Sequence, residues 1–259
     1  MTAVASAERA DLVGLVWTIV RTDFKVRYQG TLGGFVWALL KPLSMFAVLT
    51  WVFSHIFSSD PNYGLNLLVG LFLWEFFAEG TKVGLMSLHT KGYLLAKTRF
   101  PRAVLVATSL SNPLITLTVV SAAMLTFLAV QGRLAGPLNV ALYVAYVAQL
   151  ALIVLGFSLA TSVLFLRFRD LNQVWEVISH AGFFVAPIIY PLDIMPERLH
   201  FNLYVWPPTP VIEYSRAVLI HGRIPSLRAH LLLAAVATAS LLIGCLVFRR
   251  LAPRAAENL

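Results

Sequence analysis

The sequence has very little charge and a single cysteine. Asp, Glu, Lys and Arg together make up only 12% of the 259 residues, about half the ~25% share of an ordinary soluble domain. The lone Cys245 excludes an internal disulfide and any zinc or iron–sulfur site built from several cysteines of one chain. Apolar residues reach 59%, and the mean hydropathy is +0.79. The composition therefore predicts an integral membrane protein without a sizeable water-soluble domain.

Nucleotide- and metal-binding motifs are also missing from the sequence. It contains no G-x-x-x-x-G-K-[ST] phosphate loop, no G-x-G-x-x-G after a strand and no H-E-x-x-H. The six histidines are scattered and form no pair at metal-ligand spacing. We therefore expect no catalytic site, metal or cofactor on this chain. The formal charge of +8 suits an anionic membrane surface or an anionic cargo better than nucleic acid.

The N-terminal segment 9–28 combines a helical apolar rhythm with several charges. Arg21, Lys25 and Arg27 make a membrane crossing costly, so this segment is expected to be an amphipathic helix in the membrane interface. Charges at Glu8, Arg9 and Asp11 indicate that no secretory signal is present. The apolar stripe predicted to face lipid consists of Val13, Val16, Trp17, Val20 and Phe24.

Six apolar stretches are predicted to cross the membrane, which makes the fold an all-α integral membrane bundle. Each has at least the roughly 20 residues that a spanning helix needs. The third is expected to break near Asn112-Pro113, and the first carries Lys41-Pro42 inside it. The predicted spans are 33–57, 65–88, 102–130, 138–166, 171–190 and 229–248.

The segment 191–228 between the fifth and sixth spans is apolar but rich in proline. Prolines at this density allow only short helices, predicted at 196–204 and 210–221, and neither is long enough to span the bilayer. They are expected to re-enter the outer leaflet or lie on it. The segment is either a passive cap or a gate, with the candidate gate residues Pro191, Pro196, Trp206 and Tyr214.

Lysines and arginines set the predicted orientation. With the N-terminus inside, the inner segments hold 13 of the 20 basic residues and the outer segments hold five. Two more, Lys41 and Lys82, fall inside spans. The positive-inside rule therefore places both termini in the cytoplasm.

Glu75 and Glu79 form a pair of carboxylates one helical turn apart on the second span. Ionisable residues at membrane depth are functional candidates by default. One interpretation pairs Glu79 with Lys82 at a bundle or subunit interface, and the other makes the glutamates a cargo contact that lines a pore.

Several motifs, taken in order, resemble the membrane subunit of type-2 ABC exporters, in the branch that exports O-antigen polysaccharide and teichoic acid. Their order and spacing across about 21–215 carry the resemblance, although Leu73 stands where many relatives have proline. The blocks are R-T-D-F-K-V-R-Y at 21–28, L-G-x-x-x-W-x-x-x-x-P-L at 32–43, G-L at 70–71, W-x-F-F at 74–77, K-x-x-F-P-R at 97–102, R-F-R-D at 167–170, P-I-I-Y-P at 187–191 and P-E at 196–197.

The resemblance implies one type-2 transmembrane domain over 1–259, assembled as a homodimer on two copies of a separate cytoplasmic ATPase. That ATPase would bind ATP and Mg²⁺, since this chain has no phosphate loop. The longest inner loop, 89–102, would be the coupling segment that contacts the ATPase, unless it is only a basic loop. Its coupling residues would be Lys91, Lys97, Arg99, Phe100, Pro101 and Arg102.

Basic and aromatic residues are the candidates for contact with the cargo. Arg21, Lys25 and Arg27, together with Arg167 and Arg169, suit the pyrophosphate of a lipid-linked substrate, although a purely structural role is equally open. Asp170 is expected to cap the fifth span. The aromatic pore-lining candidates are Phe46, Phe53, Phe183 and Phe184.

The predicted function is that of an ABC exporter permease that moves a lipid-linked, O-antigen-like polysaccharide across the bacterial inner membrane. One alternative is a permease of the same architecture that exports a small drug or lipid. A second is a proton-coupled secondary transporter that uses Glu75 and Glu79. A membrane-embedded transferase is the weakest reading, since no metal-binding carboxylate cluster is visible.

Overall fold

The computed structural model describes residues 2–29, 33–58, 60–92, 101–133 and 135–255. Within those ranges every regular element is helical and no β-strand occurs. A short 3-10 turn covers Leu192–Ile194. The α-helices bounded in these ranges are α1 (Thr2–Tyr28), α2 (Val36–Phe53), α3 (Tyr63–Thr90), α4 (Arg102–Ser109), α5 (Ser111–Val130), α6 (Pro137–Arg167), α7 (Leu171–Val185), α8 (Glu197–Val205), α9 (Pro208–Leu219) and α10 (Leu227–Ala255).

Four helical stretches among the described residues are long and apolar enough to cross a membrane. They are Val36–Phe53, Arg102–Val130, Pro137–Arg167 and Leu227–Pro253, so the expectation of an all-helical membrane protein is confirmed. The second and fifth predicted spans stay predictions. The second corresponds to α3, which carries three charged residues. The fifth corresponds to α7, whose 15 residues extend about 22 Å at 1.5 Å per residue.

Proline marks several helix boundaries, as the sequence indicates. The predicted break in the third span lies at Leu110, between α4 and α5 and just before Asn112-Pro113. In contrast, α2 continues through Pro42. The fifth predicted span is wrong at its end, because α7 stops at Val185 instead of residue 190. The cause is Pro187, since the residue before a proline is disfavoured in a helix.

Helix α1 ends where predicted, at Tyr28, and packs on the bundle through a residue outside the stripe predicted to face lipid. Among the side chains of α1 that the structure describes, from residue 14 onward, Ile19 is buried, while Trp17 of the predicted stripe is 66% exposed. Ile19 packs with Leu88 of α3, Leu105 of α4 and Phe248 of α10 in an apolar cluster at one end of the bundle. This cluster joins α1 to both ends of the predicted coupling segment.

The core is built around α3 and α6, which approach each other closely through glycine. Gly80 and Gly84 lie one turn apart on α3, and a Cβ on either would collide with Val154 or Ser158 of α6. The opposite face of α6 meets α10 in the same way, since a Cβ on Gly156 would run into the Ser240 backbone. Small residues four apart are the usual solution for close helix packing in membranes.

Replacing Gly156 by valine should destabilise the bundle, because backbone atoms of α10 occupy the space that the new side chain needs. Overpacking of this kind costs about 3 kcal/mol, which corresponds to a thermal midpoint roughly 5–10 °C lower for a chain of this size. Thermal unfolding of the detergent-solubilised protein measures this change.

The matched control is Gly64→Ala. Gly64 also lies in a helix, but nothing is within 4 Å of its added Cβ. Its midpoint should stay unchanged or rise slightly, because alanine favours a helix over glycine. Equal midpoints for the two variants would contradict the close approach of α6 and α10.

Candidate functional site

A charged cavity of about 310 Å³ opens where the end of α1, the start of α2 and the middle of α3 meet. It collects residues from two of the sequence motifs, at 21–28 and 32–43, and the two glutamates of α3. We call it the charged cavity. Its lining residues are Arg27, Tyr28, Gly34, Trp37, Ala38, Lys41, Glu75 and Glu79.

Two ion pairs cross this charged cavity. The Arg27 guanidinium donates to a carboxylate oxygen of Glu79, and the Lys41 ammonium donates to one of Glu75. The predicted pairing of Glu79 with Lys82 is therefore wrong. Lys82 instead bonds Glu176 of α7, with 3.2 Å between Nζ and Oε1. Tertiary partners across the bundle take precedence over the neighbour three residues along the helix.

The cations of the charged cavity are more accessible than its anions. The Lys41 side chain is 76% exposed and that of Arg27 is 37% exposed, whereas Glu75 and Glu79 are 23% and 22% exposed. A doubly charged anion can therefore displace the two carboxylates and bind to the guanidinium and the ammonium in their place.

The other basic candidates lie outside the charged cavity. Arg21 and Lys25 are exposed on α1, and Arg167 and Arg169 are exposed where α6 meets α7. The Arg167 guanidinium lies over the Phe168 ring, 5.4 Å from its centroid. The structure thus unites Arg27 with Lys41, which was not a head-group candidate. Asp170 occupies the N-cap position of α7 as predicted, but its side chain makes no capping hydrogen bond to that helix.

The predicted coupling segment 89–102 is attached to the bundle on both sides. Lys91 at its start forms an ion pair with Asp23 of α1, and Arg102 at its end donates to the carbonyl of Ala252 in α10. Pro101 precedes α4 and is exposed. The remaining members of the set, Lys97, Arg99 and Phe100, lie outside the described residues.

The four phenylalanines proposed to line a pore do not share one environment. Phe46, Phe53 and Phe183 are partly buried and pack against the main apolar core. Phe183 meets the Trp74 ring of α3 with centroids 5.8 Å apart. Phe184 alone is largely open, at 68% exposed. Glu75 and Glu79, which were also proposed to line a pore, both face the charged cavity, and each forms an ion pair with a cation.

The predicted outer segment forms two short helices, α8 and α9, close to the expected bounds. Pro191 and Pro196 precede the 3-10 turn and α8. Trp206, between the two helices, enters an aromatic cluster with Trp74, Phe77 and Trp175. Tyr214 of α9 lies against Tyr146 and Tyr204, with ring centroids 5.9 and 6.2 Å away.

Arg216 of α9 is a structural centre that the sequence analysis missed. Its residue is only 5% exposed, and its guanidinium donates to backbone carbonyls of Asn66, Pro187 and Ile188 and to the Glu213 carboxylate. In the count of lysines and arginines that set the predicted orientation, Arg216 was only one of five outer cations. The spacing of Glu213 and Arg216, one turn apart in an apolar helix, was the signal available.

Metal ligands do not gather anywhere in the part of the chain that the structure describes. No group of three or more His, Cys, Asp or Glu side chains there could hold a metal ion. The charged groups gathered in one place are those of the charged cavity, where two cations and two carboxylates can interact with a charged ligand.

Comparison with known proteins agrees with the motif order. The chain is similar to the O-antigen export system permease protein RfbA of Klebsiella pneumoniae, at 27% identity over 214 residues and 82% of each chain. A second RfbA from the same species is 26% identical over 219 residues, again 82% of each chain. RfbA of Myxococcus xanthus is 26% identical over 257 residues, which is 95% of each chain.

The match to a known family spans the charged cavity and both short helices, α8 and α9. Residues 14–220, from within α1 to the end of α9, match the ABC-2 type transporter family. Because that range is most of the chain, this protein belongs to the ABC-2 type transporter family.

Proposed function

We propose that this chain is the permease subunit of an ATP-driven exporter that moves a lipid-linked polysaccharide across the bacterial inner membrane. The observation that carries the proposal is the likeness to O-antigen export permeases over 82–95% of the chain. Membership of the ABC-2 family and the four apolar spans support a membrane conduit. The choice of a polysaccharide as the cargo rests on the likeness to those permeases.

The first step is capture of the substrate's pyrophosphate at the charged cavity. Arg27 and Lys41 present a guanidinium and an ammonium on one side of an opening of about 310 Å³. A pyrophosphate carries two phosphate groups that can each take one of these cations from Glu79 or Glu75. The exposed Arg21 and Lys25 on the same helix add positive charge along the approach.

The energy for transport comes from a separate ATPase subunit that binds ATP and Mg²⁺. The segment 89–102 is the proposed contact, because both of its ends are tied into the bundle. A push on this segment reaches α1 through Lys91 and Asp23, and reaches α10 through Arg102 and Ala252. Movement of α1 in turn acts on Arg27, at the edge of the charged cavity.

Two copies of the chain enclose the proposed conduit, with both termini in the cytoplasm. Exposed apolar side chains on α2 and α7 support a seam along these helices. On α2 they include Val48 and Trp51, and on α7 they include Val177 and Phe184. Six spans per subunit are too few to surround a hydrated sugar chain, whereas two copies about a two-fold axis provide enough helices.

The ion pairs argue against proton coupling through the two glutamates. Each carboxylate already accepts a hydrogen bond from a cation on another helix, so a proton carrier built on this pair would have to release both cations in every cycle. Export of a small drug or lipid uses the same architecture. The two cargoes are separated by the fate of the polymer in cells.

Deleting the gene in its own bacterium should abolish surface polysaccharide and leave lipid-linked polymer inside the cell. The reason is that synthesis of the polymer continues while its exit is closed. Radiolabelled sugar followed through cell fractions measures both pools, and the gene restored on a plasmid is the control. Unchanged surface polysaccharide would contradict the polymer as cargo.

Arg27→Gln should lower export at least about tenfold, because the head group loses a charge-assisted bidentate contact. Glu79→Gln should keep most of the activity, since it frees the guanidinium for substrate. The double variant Arg27→Gln/Glu79→Gln separates the two roles, because it leaves no unpaired charge behind. We expect the double variant to be as impaired as Arg27→Gln, measured as surface polysaccharide at matched membrane levels.

Recovery of export in that double variant would show that Arg27 is needed only to neutralise Glu79. The proposed head-group contact would then be wrong, even if the exporter function held. Lys82→Gln/Glu176→Gln is the matched control, because this pair links α3 to α7 outside the charged cavity.

A further inference from the structure

The outer segment 191–228 contains two helices that the protein holds in very different ways. Helix α9 buries Val211, Ile212, Ser215, Arg216 and Val218, among others. Helix α8 has no buried residue, and neither does the 3-10 turn before it. The segment is therefore a fixed half and a loosely held half, and the contacts at each junction show where the division lies.

The first junction is the exit turn, residues 186–190, directly after α7. Because α7 ends at Val185, the carbonyls of Pro187, Ile188 and Ile189 lie beyond the helix and lack helical N–H partners. Arg216 donates to the first two at 2.6 and 3.0 Å, and the Tyr63 hydroxyl donates to the third at 2.9 Å. Non-helical backbone is tolerated at membrane depth when protein groups satisfy it in this manner.

Arg216 also attaches this exit turn to α3. Its Nε donates to the Asn66 carbonyl at 2.8 Å, and the guanidinium lies directly over Gly70. A Cβ at position 70 would come within 2.7 Å of Arg216 Nη2, so only glycine leaves room for the guanidinium. One buried side chain thus joins α9, α3 and the end of α7, with Glu213 supplying its counter-charge.

The second junction is Trp206, directly after α8. Its ring packs on Gly182 of α7, where an added Cβ would collide with the indole. The same ring lies 5.7 Å from Phe77 and 6.4 Å from Trp74 of α3, between centroids. Trp206 therefore holds the chain to the α3 and α7 faces, as Arg216 does at the exit turn.

Residues 192–205 run between these two fixed points, and we call them the outer strap. Phe201 and Val205 of the strap are 77% and 66% exposed. Its helix packs mainly on α9, where the Tyr204 and Tyr214 rings meet at 6.2 Å. Segments with few buried apolar contacts open locally at a low cost in free energy.

We propose that Arg216 is a positioning residue that fixes α9 and the exit turn to α3, so that the outer strap alone moves when cargo leaves. This inference rests on the proposed export function and divides the predicted gate 191–228 into a static and a moving part. The gate candidate Tyr214 belongs to the static part. Pro191 directly precedes the strap, and Pro196 lies within it, between the 3-10 turn and α8.

Two cysteine pairs that share one position test the division, in a Cys245→Ala background. Tyr214→Cys with Tyr204→Cys lets a cleavable bifunctional thiol reagent bridge α9 to the strap. Tyr214→Cys with Tyr146→Cys bridges α9 to α6 over a similar separation. Because Tyr146 is buried, mass spectrometry verifies that each bridge has formed before export is compared. Export is measured before bridging, after bridging and after cleavage, so that a folding defect shows before any reagent is added.

Bridging the strap to α9 should stop export, and cleavage should restore it. Bridging α9 to α6 should leave export unchanged, because those helices keep their relative position. The opposite pattern, or equal effects of the two bridges, would overturn the inference. If the unbridged Cys245→Ala protein supports no polymer export while reaching the membrane normally, the proposed function fails instead.

Arg216→Gln tests the positioning role itself. It should lower export at least about tenfold, because the arginine's charge-assisted hydrogen bonds are lost. Bridging Tyr214→Cys to Tyr146→Cys in this variant should restore export, since a covalent link to α6 then fixes α9. Gly70→Ala, which displaces the guanidinium without changing charge, should behave like Arg216→Gln and be rescued by the same bridge. Failure of the bridge to rescue either variant would show that Arg216 does not act by positioning α9.

Discussion

Charged side chains on a mainly apolar, largely buried helix need partners inside the protein, and this requirement organises the structure around α3. Glu75, Glu79 and Lys82 on this helix each bond a residue of a different neighbour, on α2, α1 and α7 respectively. In all three pairs the side chain of the cation is partly exposed, at 76, 37 and 49%. On its other side α3 packs on α6 through Gly80 and Gly84, where close contact leaves little freedom. The bundle thus has a rigid side and an adjustable side.

The same requirement applies to the backbone at the opposite end of the molecule. Helix α7 ends at Val185, and the carbonyls of its exit turn need hydrogen-bond donors from outside that helix. Arg216 and Tyr63 provide them. Tyr190 adds a bond from its hydroxyl to the carbonyl of Val185. Polar side chains in this part of the chain therefore hold non-helical backbone in place, which is a role separate from recognition of cargo.

Much of the helical framework could be predicted because long apolar runs and prolines determine it locally. The break before Asn112-Pro113 and the two short outer helices follow from proline chemistry alone. The early end of α7 carried the same kind of signal in Pro187, which the length of the apolar run outweighed. At the end of α7, a single proline therefore predicts the helix boundary better than the hydropathy of the surrounding run.

The side-chain partnerships could not be predicted, because they depend on how helices distant in sequence meet. Lys82 stands one turn from Glu79, yet each bonds a different helix. Arg216 bonds carbonyls that are 28 to 150 residues away along the chain, and nothing in the local pattern identifies them. Arg27 was recognised from its motif, but Lys41 joins it only through the fold.

Transport by purified protein in sealed vesicles tests most directly whether this chain is a conduit that depends on another subunit for energy. Vesicles containing the permease alone, the permease with its ATPase, and the pair with ATP should be compared for movement of a lipid-linked polysaccharide across the bilayer. We expect movement only when permease, ATPase and ATP are all present. Full-rate movement by the solitary permease would contradict the account.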